Sequence, residues 1–153
     1  MKKTICFVCW ANVCRSPMAE VVFQKMLVQR NLNEYYEAFS AGVSEEKKGE
    51  PIETAAALTL LKHGYVVSAR QAWSLSPEDY TRFDYFVAMD METMWALRTR
   101  FSGDPAHKTG LLMAYTDLPR NIEDPYMSGN YEGVYQEIKK GCGAFLHALL
   151  EAE

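Results

Sequence analysis

The sequence predicts an α/β fold in which helices cover both faces of a central sheet of four parallel strands. Two observations lead to this prediction: short apolar runs alternate with stretches of helical periodicity, and the alternation repeats along the chain. The 153 residues have the size of one domain. Since no linker, repeat or low-complexity tract divides them, we expect residues 1–153 to form a single domain.

Four apolar runs have the length and composition of strands. The first, residues 4–9, reads Thr-Ile-Cys-Phe-Val-Cys, which is typical of a buried strand. The other three runs cover residues 36–42, 85–89 and 111–114. Helical segments lie between these runs, so the sheet is expected to be mostly parallel.

The first helical segment follows the first strand closely. Its apolar residues recur at the spacing of one helix face. Ser16 is a suitable N-cap and Pro17 a suitable first helical residue. The apolar face consists of Ala19, Val22, Phe23, Met26 and Leu27.

The remaining helices are predicted from similar signals. Gly64 closes the second helix, and Asp90 can cap the third. The Ser-Pro-Glu-Asp segment has the chemistry of a short helix start. The second and third helices cover residues 52–63 and 90–101, and a long C-terminal helix covers residues 131–149.

Composition argues against several classes of partner. Lys and Arg number 16 and Asp and Glu number 20, giving a net charge of −4, whereas nucleic-acid binding depends on Lys and Arg. No apolar run reaches the ~18 residues of a membrane span, and residues 5–8 are too short for a signal-peptide core. Cys6, Cys9 and Cys14 crowd into the first strand and loop, which suits reduced thiols in the cytoplasm.

The loop after the first strand, residues 9–17, is the first place to expect chemistry, because ligands bind beyond the carboxyl ends of parallel strands. Five residues separate Cys9 from Arg15 there. Consecutive backbone N–H groups ahead of a helix make an anion cradle, and Arg15 can donate two parallel hydrogen bonds to an oxyanion. Such surroundings favour the thiolate of Cys9, and Ser16 can add a hydroxyl donor.

Further motifs accompany this loop. Asn12 and the run Cys14-Arg15-Ser16-Pro17-Met18-Ala19-Glu20 follow Cys9. Other segments are Ser40-Ala41-Gly42, Lys62-His63-Gly64, Ala69-Arg70-Gln71, Phe83-Asp84-Tyr85, Met89-Asp90 and Asp124-Pro125-Tyr126. Together they resemble the low-molecular-weight protein tyrosine phosphatases over nearly the whole chain. The resemblance implies flavodoxin-like layering of sheet and helices, and a hydrolase that needs neither cofactor nor metal ion.

The resemblance also implies a two-step hydrolysis of phosphotyrosine through a phosphocysteine. Cys9 attacks phosphorus, while Asp124 protonates the leaving oxygen and then activates water. Arg15 and the loop amides stabilise the equatorial oxygens, and Ser16 assists departure of the thiolate. The residues expected to bind phosphate or substrate are Trp10, Ala11, Asn12, Val13, Cys14, Ser16 and Tyr126.

Asn12 shapes the loop in this family, and the resemblance implies that Ser40 and His63 support it through hydrogen bonds. His63 precedes the helix-ending Gly64, where a histidine interacts favourably with the helix dipole, so we expect only a scaffold role for it.

The Asp-Pro pair at Asp124 has a simpler alternative, since such pairs often begin turns. Asp124 nevertheless follows the last predicted strand in a long polar loop, at the sheet end that carries Cys9, which favours the catalytic role. Tyr126 is expected to form a wall of the substrate pocket, because an aromatic ring suits a phenyl phosphate.

Three loop residues leave alternatives open. Ala11 stands where the family usually has glycine; it costs about 1–2 kcal/mol if its φ is positive and little if it is negative. Trp10 replaces a small or aliphatic residue, and it either extends the aromatic wall or packs against a neighbouring loop. Cys14 forms a reversible disulfide with Cys9 by family resemblance, or simply fills space in the loop.

Single residues distinguish the alternative functions. An arsenate reductase of similar fold needs further cysteines downstream of the loop to relay a disulfide, and only Cys142 stands there. Phosphoarginine phosphatases have threonine at the position of Val13, whose apolar side chain favours an aryl phosphate. A non-enzymatic phosphate-binding module would lack Cys9, Arg15 or Asp124. We therefore expect a phosphotyrosine-containing protein or peptide as substrate, with a cognate tyrosine kinase as the partner that the family suggests.

Overall fold

Residues 1–152 are described by the structure, a computed structural model, and their four strands form one parallel sheet. The strands are β1 (Lys3–Cys9), β2 (Tyr36–Gly42), β3 (Tyr85–Ala88) and β4 (Thr109–Leu111). Their order is β2-β1-β3-β4, and every neighbouring pair is parallel. The predicted parallel α/β fold is confirmed. The predicted domain, residues 1–153, includes one residue outside the described ones.

The helices connect these strands and continue beyond them. The α-helices are α1 (Arg15–Gln29), α2 (Thr54–Lys62), α3 (Met91–Arg100), α4 (Pro125–Ser128) and α5 (Tyr131–Ala152). Two 3₁₀ helices lie at Pro77–Thr81 and Leu112–Tyr115. Within residues 1–152, none of these helices is both long and apolar enough to cross a bilayer.

β1 is apolar without interruption because both of its faces are buried. Ile5 and Phe7 point into a core built with α1 and α5. Cys6 and Val8 point into a second core on the opposite face, built with α3. This is the double burial that a central parallel strand experiences.

The fourth strand differs from its prediction of 111–114. It ends at Leu111, and a 3₁₀ turn follows in which Leu112 and Met113 are fully buried. These two side chains pack against Gly141 of α5, where an added Cβ would lie 2.7 Å from Leu112 Cγ. Packing against α5 therefore replaces strand pairing in this segment.

The start of α1 also differs from its prediction. The helix begins at Arg15 with Cys14 in the N-cap position, instead of being capped by Ser16. Ser16 Oγ is engaged with Cys9 and Asn12, so it does not cap the helix. Because strand order reverses at β1, the loop between β1 and α1 lies at the position where open α/β sheets bind their ligands.

Candidate active site

Cys9 is the last residue of β1, and it lies at the base of the loop that leads into α1. Its side chain is 3% exposed. Cys9 Sγ lies 2.9 Å from Ser16 Oγ, which belongs to the first turn of α1. The thiol and the hydroxyl that the sequence singles out are thus in direct contact.

The turn of the loop is made by Asn12. Its φ is 60°, the left-handed region that asparagine tolerates better than most residues. Ala11 does not have a positive φ. The strain considered for alanine at this position is therefore absent.

The Asn12 amide nitrogen holds two serines. Nδ2 donates to Ser16 Oγ at 2.8 Å and to Ser40 Oγ at 3.1 Å. Ser40 Oγ in turn donates to Glu20 Oε1 at 2.6 Å. A buried chain of hydrogen bonds thereby joins β2 and α1 to the loop, and it includes the Asn12–Ser40 contact expected from the family.

The Asn12 oxygens are held from another segment. Arg70 Nη1 donates to the Asn12 carbonyl oxygen at 2.8 Å, and Arg70 Nη2 donates to Asn12 Oδ1. The backbone N–H of Trp73 also donates to Oδ1, at 3.2 Å. The sequence by itself indicates no role for Arg70, Trp73 or Glu20, although Arg70 and Glu20 lie in segments that resemble the family.

The expected hydrogen bond from His63 to the loop is wrong. His63 follows α2 directly and turns toward α5, where Nε2 lies 2.9 Å from both carboxylate oxygens of Glu132. Its ring also stacks on Tyr135, with the centroids 4.1 Å apart. His63 therefore joins two helices, and Arg70 holds Asn12 instead.

Arg15 is buried and is held by two acceptors. Its Nη1 donates to Asp90 Oδ2 at 2.6 Å and to the Ile122 carbonyl oxygen at 2.8 Å. Burial opposes its charge, but nearby Cys9, Asp90 and Asp124 outweigh burial and raise the pKa of Arg15. The guanidinium therefore remains charged in a strongly anionic setting.

Asp90 is the counter-ion of Arg15, a role that the sequence did not indicate beyond its helix cap. Burial would raise the pKa of Asp90, but hydrogen bonds from Thr93 and Arg15 outweigh it and lower that pKa. Asp90 Oδ1 accepts from the Thr93 backbone N–H at 2.8 Å, so the predicted cap of α3 is confirmed.

Arg15 and Asp124 line one cleft of about 360 Å³. Asp124 also caps the short α4, because its Oδ1 accepts from the Tyr126 backbone N–H at 3.1 Å. Asp124 therefore both starts the turn into α4 and lines the cleft, so the two alternatives considered for it are compatible. The complete lining is Trp10, Arg15, Asp90, Glu92, Asn121, Ile122, Glu123 and Asp124.

The two aromatic residues proposed for the pocket differ in their surroundings. Trp10 is 37% exposed and lines the cleft. Tyr126 is 70% exposed and lies outside the cleft lining, on the surface beside Asp124. Of these two aromatic residues, only Trp10 therefore lines the cleft.

The remaining cysteines are buried thiols. Cys14 is buried at the start of α1, and its Sγ lies 4.0 Å from Met18 Sδ. Burial, together with negative charge from Glu53 and Cys9, raises the pKa of Cys14. Cys142 is fully buried in α5, and its burial raises its pKa as well. Val13 is also buried.

Comparisons with known proteins agree with this geometry. A family model described as low molecular weight phosphotyrosine protein phosphatase matches residues 4–153. The low molecular weight protein-tyrosine-phosphatase YfkJ of Bacillus subtilis is 34% identical over 149 residues, covering 95% of each chain. Its crystal structure has a TM-score of 0.94 at 32% identity, covering 100% of this chain and 98% of that one.

Two further relatives extend the comparison. The human low molecular weight phosphotyrosine protein phosphatase is 33% identical over 151 residues, covering 94% of each chain. The structure of a Drosophila arginine phosphatase is 30% identical with a TM-score of 0.86, covering 97% of this chain and 98% of that one. The chain therefore belongs to the low molecular weight phosphotyrosine protein phosphatase family, a family of hydrolases, and the resemblance found in the sequence is confirmed.

Proposed function

We propose that this protein hydrolyses phosphotyrosine in proteins or peptides, with Cys9 as nucleophile and Asp124 as general acid and base. One observation carries the proposal: Arg15 and Asp124, from opposite ends of the chain, line the same cleft beyond the strand that ends in Cys9. A phosphoryl group held by Arg15 and the loop amides would then lie between the sulfur and the carboxyl group.

In the first step, the Cys9 thiolate attacks phosphorus and an S–P bond forms. The bond between phosphorus and the tyrosyl oxygen breaks, and Asp124 gives its proton to that oxygen. Arg15 and the loop amides stabilise the charge on the three equatorial oxygens. The hydrogen bond from Arg15 to Asp90 supports this role, because it orients the guanidinium before substrate binds.

In the second step, water attacks phosphorus and gives a proton to the Asp124 carboxylate. The S–P bond breaks, and the Cys9 thiolate leaves. The Asn12 amide donates to Ser16 Oγ, so the hydroxyl proton of Ser16 can go either to Cys9 Sγ at 2.9 Å or to the Ala41 carbonyl oxygen at 3.3 Å, of which the sulfur is the closer. A donated proton stabilises the departing thiolate, which supports the proposed role of Ser16.

The substrate class rests on the mouth of the cleft. Trp10 offers an aromatic surface to a phenyl phosphate. Val13, which is buried and lies outside the cleft lining, supports an aryl ester only through the family pattern, in which phosphoarginine phosphatases have threonine at this position. A phosphoarginine substrate is the second candidate, favoured by the similarity to the Drosophila arginine phosphatase and by Glu92 and Glu123 in the cleft lining. Arsenate reduction is disfavoured, because Cys142 is fully buried and cannot relay a disulfide without local unfolding.

The mechanism is tested with two variants. We expect Cys9→Ser to abolish hydrolysis of p-nitrophenyl phosphate, and Asp124→Asn to slow kcat by ~10²–10⁴, the range of a lost general acid. The loss in Asp124→Asn should be larger with phenyl phosphate, whose leaving group needs the proton more. Asp117→Asn, an exposed aspartate of the preceding loop, is the matched control. Near-normal turnover in Asp124→Asn would remove the assignment.

The substrate is tested by comparing phosphotyrosine, phosphoserine and phosphoarginine peptides, with arsenate reduction as a parallel assay. Preference for phosphotyrosine supports the proposal, and preference for phosphoarginine would replace it with the second candidate. A tyrosine kinase is the class of enzyme that must supply this substrate, so a cognate kinase stays a prediction, as does a cytoplasmic location.

A further inference from the structure

We propose that Arg70 is a positioning residue for the reaction. Its guanidinium donates hydrogen bonds to both the backbone carbonyl oxygen and the side-chain amide oxygen of Asn12, and so fixes the turn of the phosphate-binding loop. The inference rests on the proposed function of that loop. It adds a residue from a separate segment, 58 residues along the chain from Asn12.

The contact has the geometry of a fork. Two nitrogens of one planar guanidinium meet two oxygens of one residue, with Nη1 at 2.8 Å from the Asn12 carbonyl oxygen and Nη2 on Oδ1. A paired contact of this kind restricts orientation as well as distance, which a single-point donor such as lysine cannot do.

Asn12 is the loop residue that most needs such support. Its backbone is in the left-handed region, which a residue with a Cβ adopts only at a cost. The side-chain amide uses its full hydrogen-bonding capacity, because Oδ1 accepts from Arg70 and Trp73 while Nδ2 donates to Ser16 and Ser40. A tilt of the amide would therefore reach Ser16 and, through it, Cys9.

Arg70 is itself held in a fixed segment. Ala72 exchanges backbone hydrogen bonds with the 49–50 loop, at 2.8 and 2.9 Å. Trp73 donates from Nε1 to the Ser40 carbonyl oxygen at 2.7 Å. Burial lowers the pKa of Arg70, while Glu20 and Cys9 act in the opposite direction, so the guanidinium lies within electrostatic reach of both groups.

Two other roles for Arg70 make different predictions. If it supplied only positive charge to the Cys9 region, lysine would replace it with little loss. If it only stabilised the fold, its replacement would lower the melting temperature without changing how a folded molecule binds phosphate.

The test compares Arg70→Lys and Arg70→Gln with Arg100→Lys. Arg100 is a matched control, since it is also partly buried and donates from Nη1 to two carbonyl oxygens, those of Val43 and Leu75, but makes no hydrogen bond to Asn12. We expect both Arg70 variants to lose about tenfold or more in kcat/KM for p-nitrophenyl phosphate and to bind inorganic phosphate correspondingly more weakly. Arg100→Lys should keep both values.

Phosphate binding is measured by calorimetry on each folded variant, so this readout does not depend on turnover. If the wild-type protein bound phosphate but hydrolysed no phosphate ester, the proposed function would fail while the role of Arg70 in the loop could still be scored. Phosphate affinity in Arg70→Lys equal to that of Arg100→Lys would overturn the inference.

A double-mutant cycle keeps the proposal testable if the Arg70 variants are less stable than the wild-type protein. Glycine adopts the left-handed backbone without cost and offers no Oδ1, so in the Asn12→Gly background Arg70→Gln should cause much less further loss than it does alone. Fully additive losses in phosphate affinity would show that the two residues act independently, and the inference would be wrong.

Discussion

Arg15 Nη1 lies 2.6 Å from Asp90 Oδ2, and this pair joins the first residue of α1 to the residue that precedes α3. The second oxygen of Asp90 caps α3 through the Thr93 N–H. One carboxylate therefore fixes a helix start and the guanidinium that faces the cleft. The Arg15 guanidinium is thereby tied to the start of α3, and its second acceptor, the Ile122 carbonyl oxygen, holds it from the segment that precedes Asp124.

Replacement of Asp90 separates its two roles. Asn is as good an N-cap as Asp, so Asp90→Asn should keep α3 intact but lose the charge pairing, and kcat/KM should fall about tenfold as Arg15 loses orientation. Asp90→Ala should show the same loss and a further ~1 kcal/mol of lost stability. Steady-state kinetics and thermal unfolding of both variants check this, and wild-type kinetics in Asp90→Asn would contradict it.

The same pair predicts a pH dependence of stability. The pKa of Asp90 is lowered in the folded protein, because the hydrogen bonds from Thr93 and Arg15 outweigh burial. A carboxyl whose folded pKa lies below its unfolded value, about 3.9, stabilises the fold above that pH and loses this effect as the pH falls through the folded pKa.

We therefore expect the difference in Tm between wild type and Asp90→Asn to be largest near pH 7 and to shrink below about pH 4. Comparing the two proteins at each pH removes the contribution of other aspartates with lowered pKa values. If this difference in Tm stayed constant down to pH 3, protonation of Asp90 would not affect the stability of the fold, and the prediction would be wrong.

Features that depend on local sequence could be predicted. The buried strand before Cys9, the helix after it and the spacing to Arg15 are local, and they place the loop at the sheet end where ligands bind. Asp90 as a helix cap is local as well. The family resemblance added Asp124, from a distant part of the chain.

Features that depend on tertiary packing could not be predicted. The hydrogen bonds from Arg70 to Asn12 join residues 58 positions apart, and no periodicity or spacing in the sequence indicates them. His63 lies at the end of α2, as its position before Gly64 predicts, but its partner Glu132 lies on α5 and no local pattern indicates that contact. The early end of β4 likewise depends on space that Gly141 leaves beneath α5.

The Trp10→Ala variant tests whether Trp10 forms an aromatic wall of the substrate pocket. Because Trp10 lines the cleft with part of its ring system exposed, we expect Trp10→Ala to raise KM for p-nitrophenyl phosphate several-fold while kcat changes little. The phosphate would still be held by Arg15 and the loop amides, so affinity for inorganic phosphate should be unchanged. Unchanged KM and substrate preference would show that Trp10 only packs against the neighbouring loop.

Treatment with peroxide tests whether Cys14 forms a reversible disulfide with Cys9. Its burial and raised pKa keep Cys14 as a thiol, so peroxide should first oxidise Cys9 to a sulfenic acid. The Cys14 sulfur then displaces water from that sulfenic acid and forms a disulfide. Peptide mapping after mild peroxide should recover a Cys9–Cys14 bond, and activity should return with dithiothreitol. Sulfinic Cys9 without this bond would contradict the prediction.

Gly42 tests how closely β2 must approach the loop. A Cβ on Gly42 would lie 2.9 Å from the Trp10 carbonyl oxygen and 3.2 Å from both the Ala11 carbonyl carbon and Asn12 Cβ. The first two contacts are with backbone, which cannot rotate away, so Gly42→Ala must displace the loop. Overpacking typically costs ~1–3 kcal/mol, and a loop displaced by about 1 Å can lose ~10²-fold in rate.

Gly143→Ala is the control for this substitution, because an added Cβ meets nothing within 4 Å at that position of α5. Alanine also favours a helix interior over glycine by up to about 1 kcal/mol, so this variant should be at least as stable as wild type and equally active. Gly42→Ala with wild-type kcat/KM would mean that the loop tolerates displacement, and the catalytic geometry would then depend on Arg15 and Asp124 more than on the backbone of the loop.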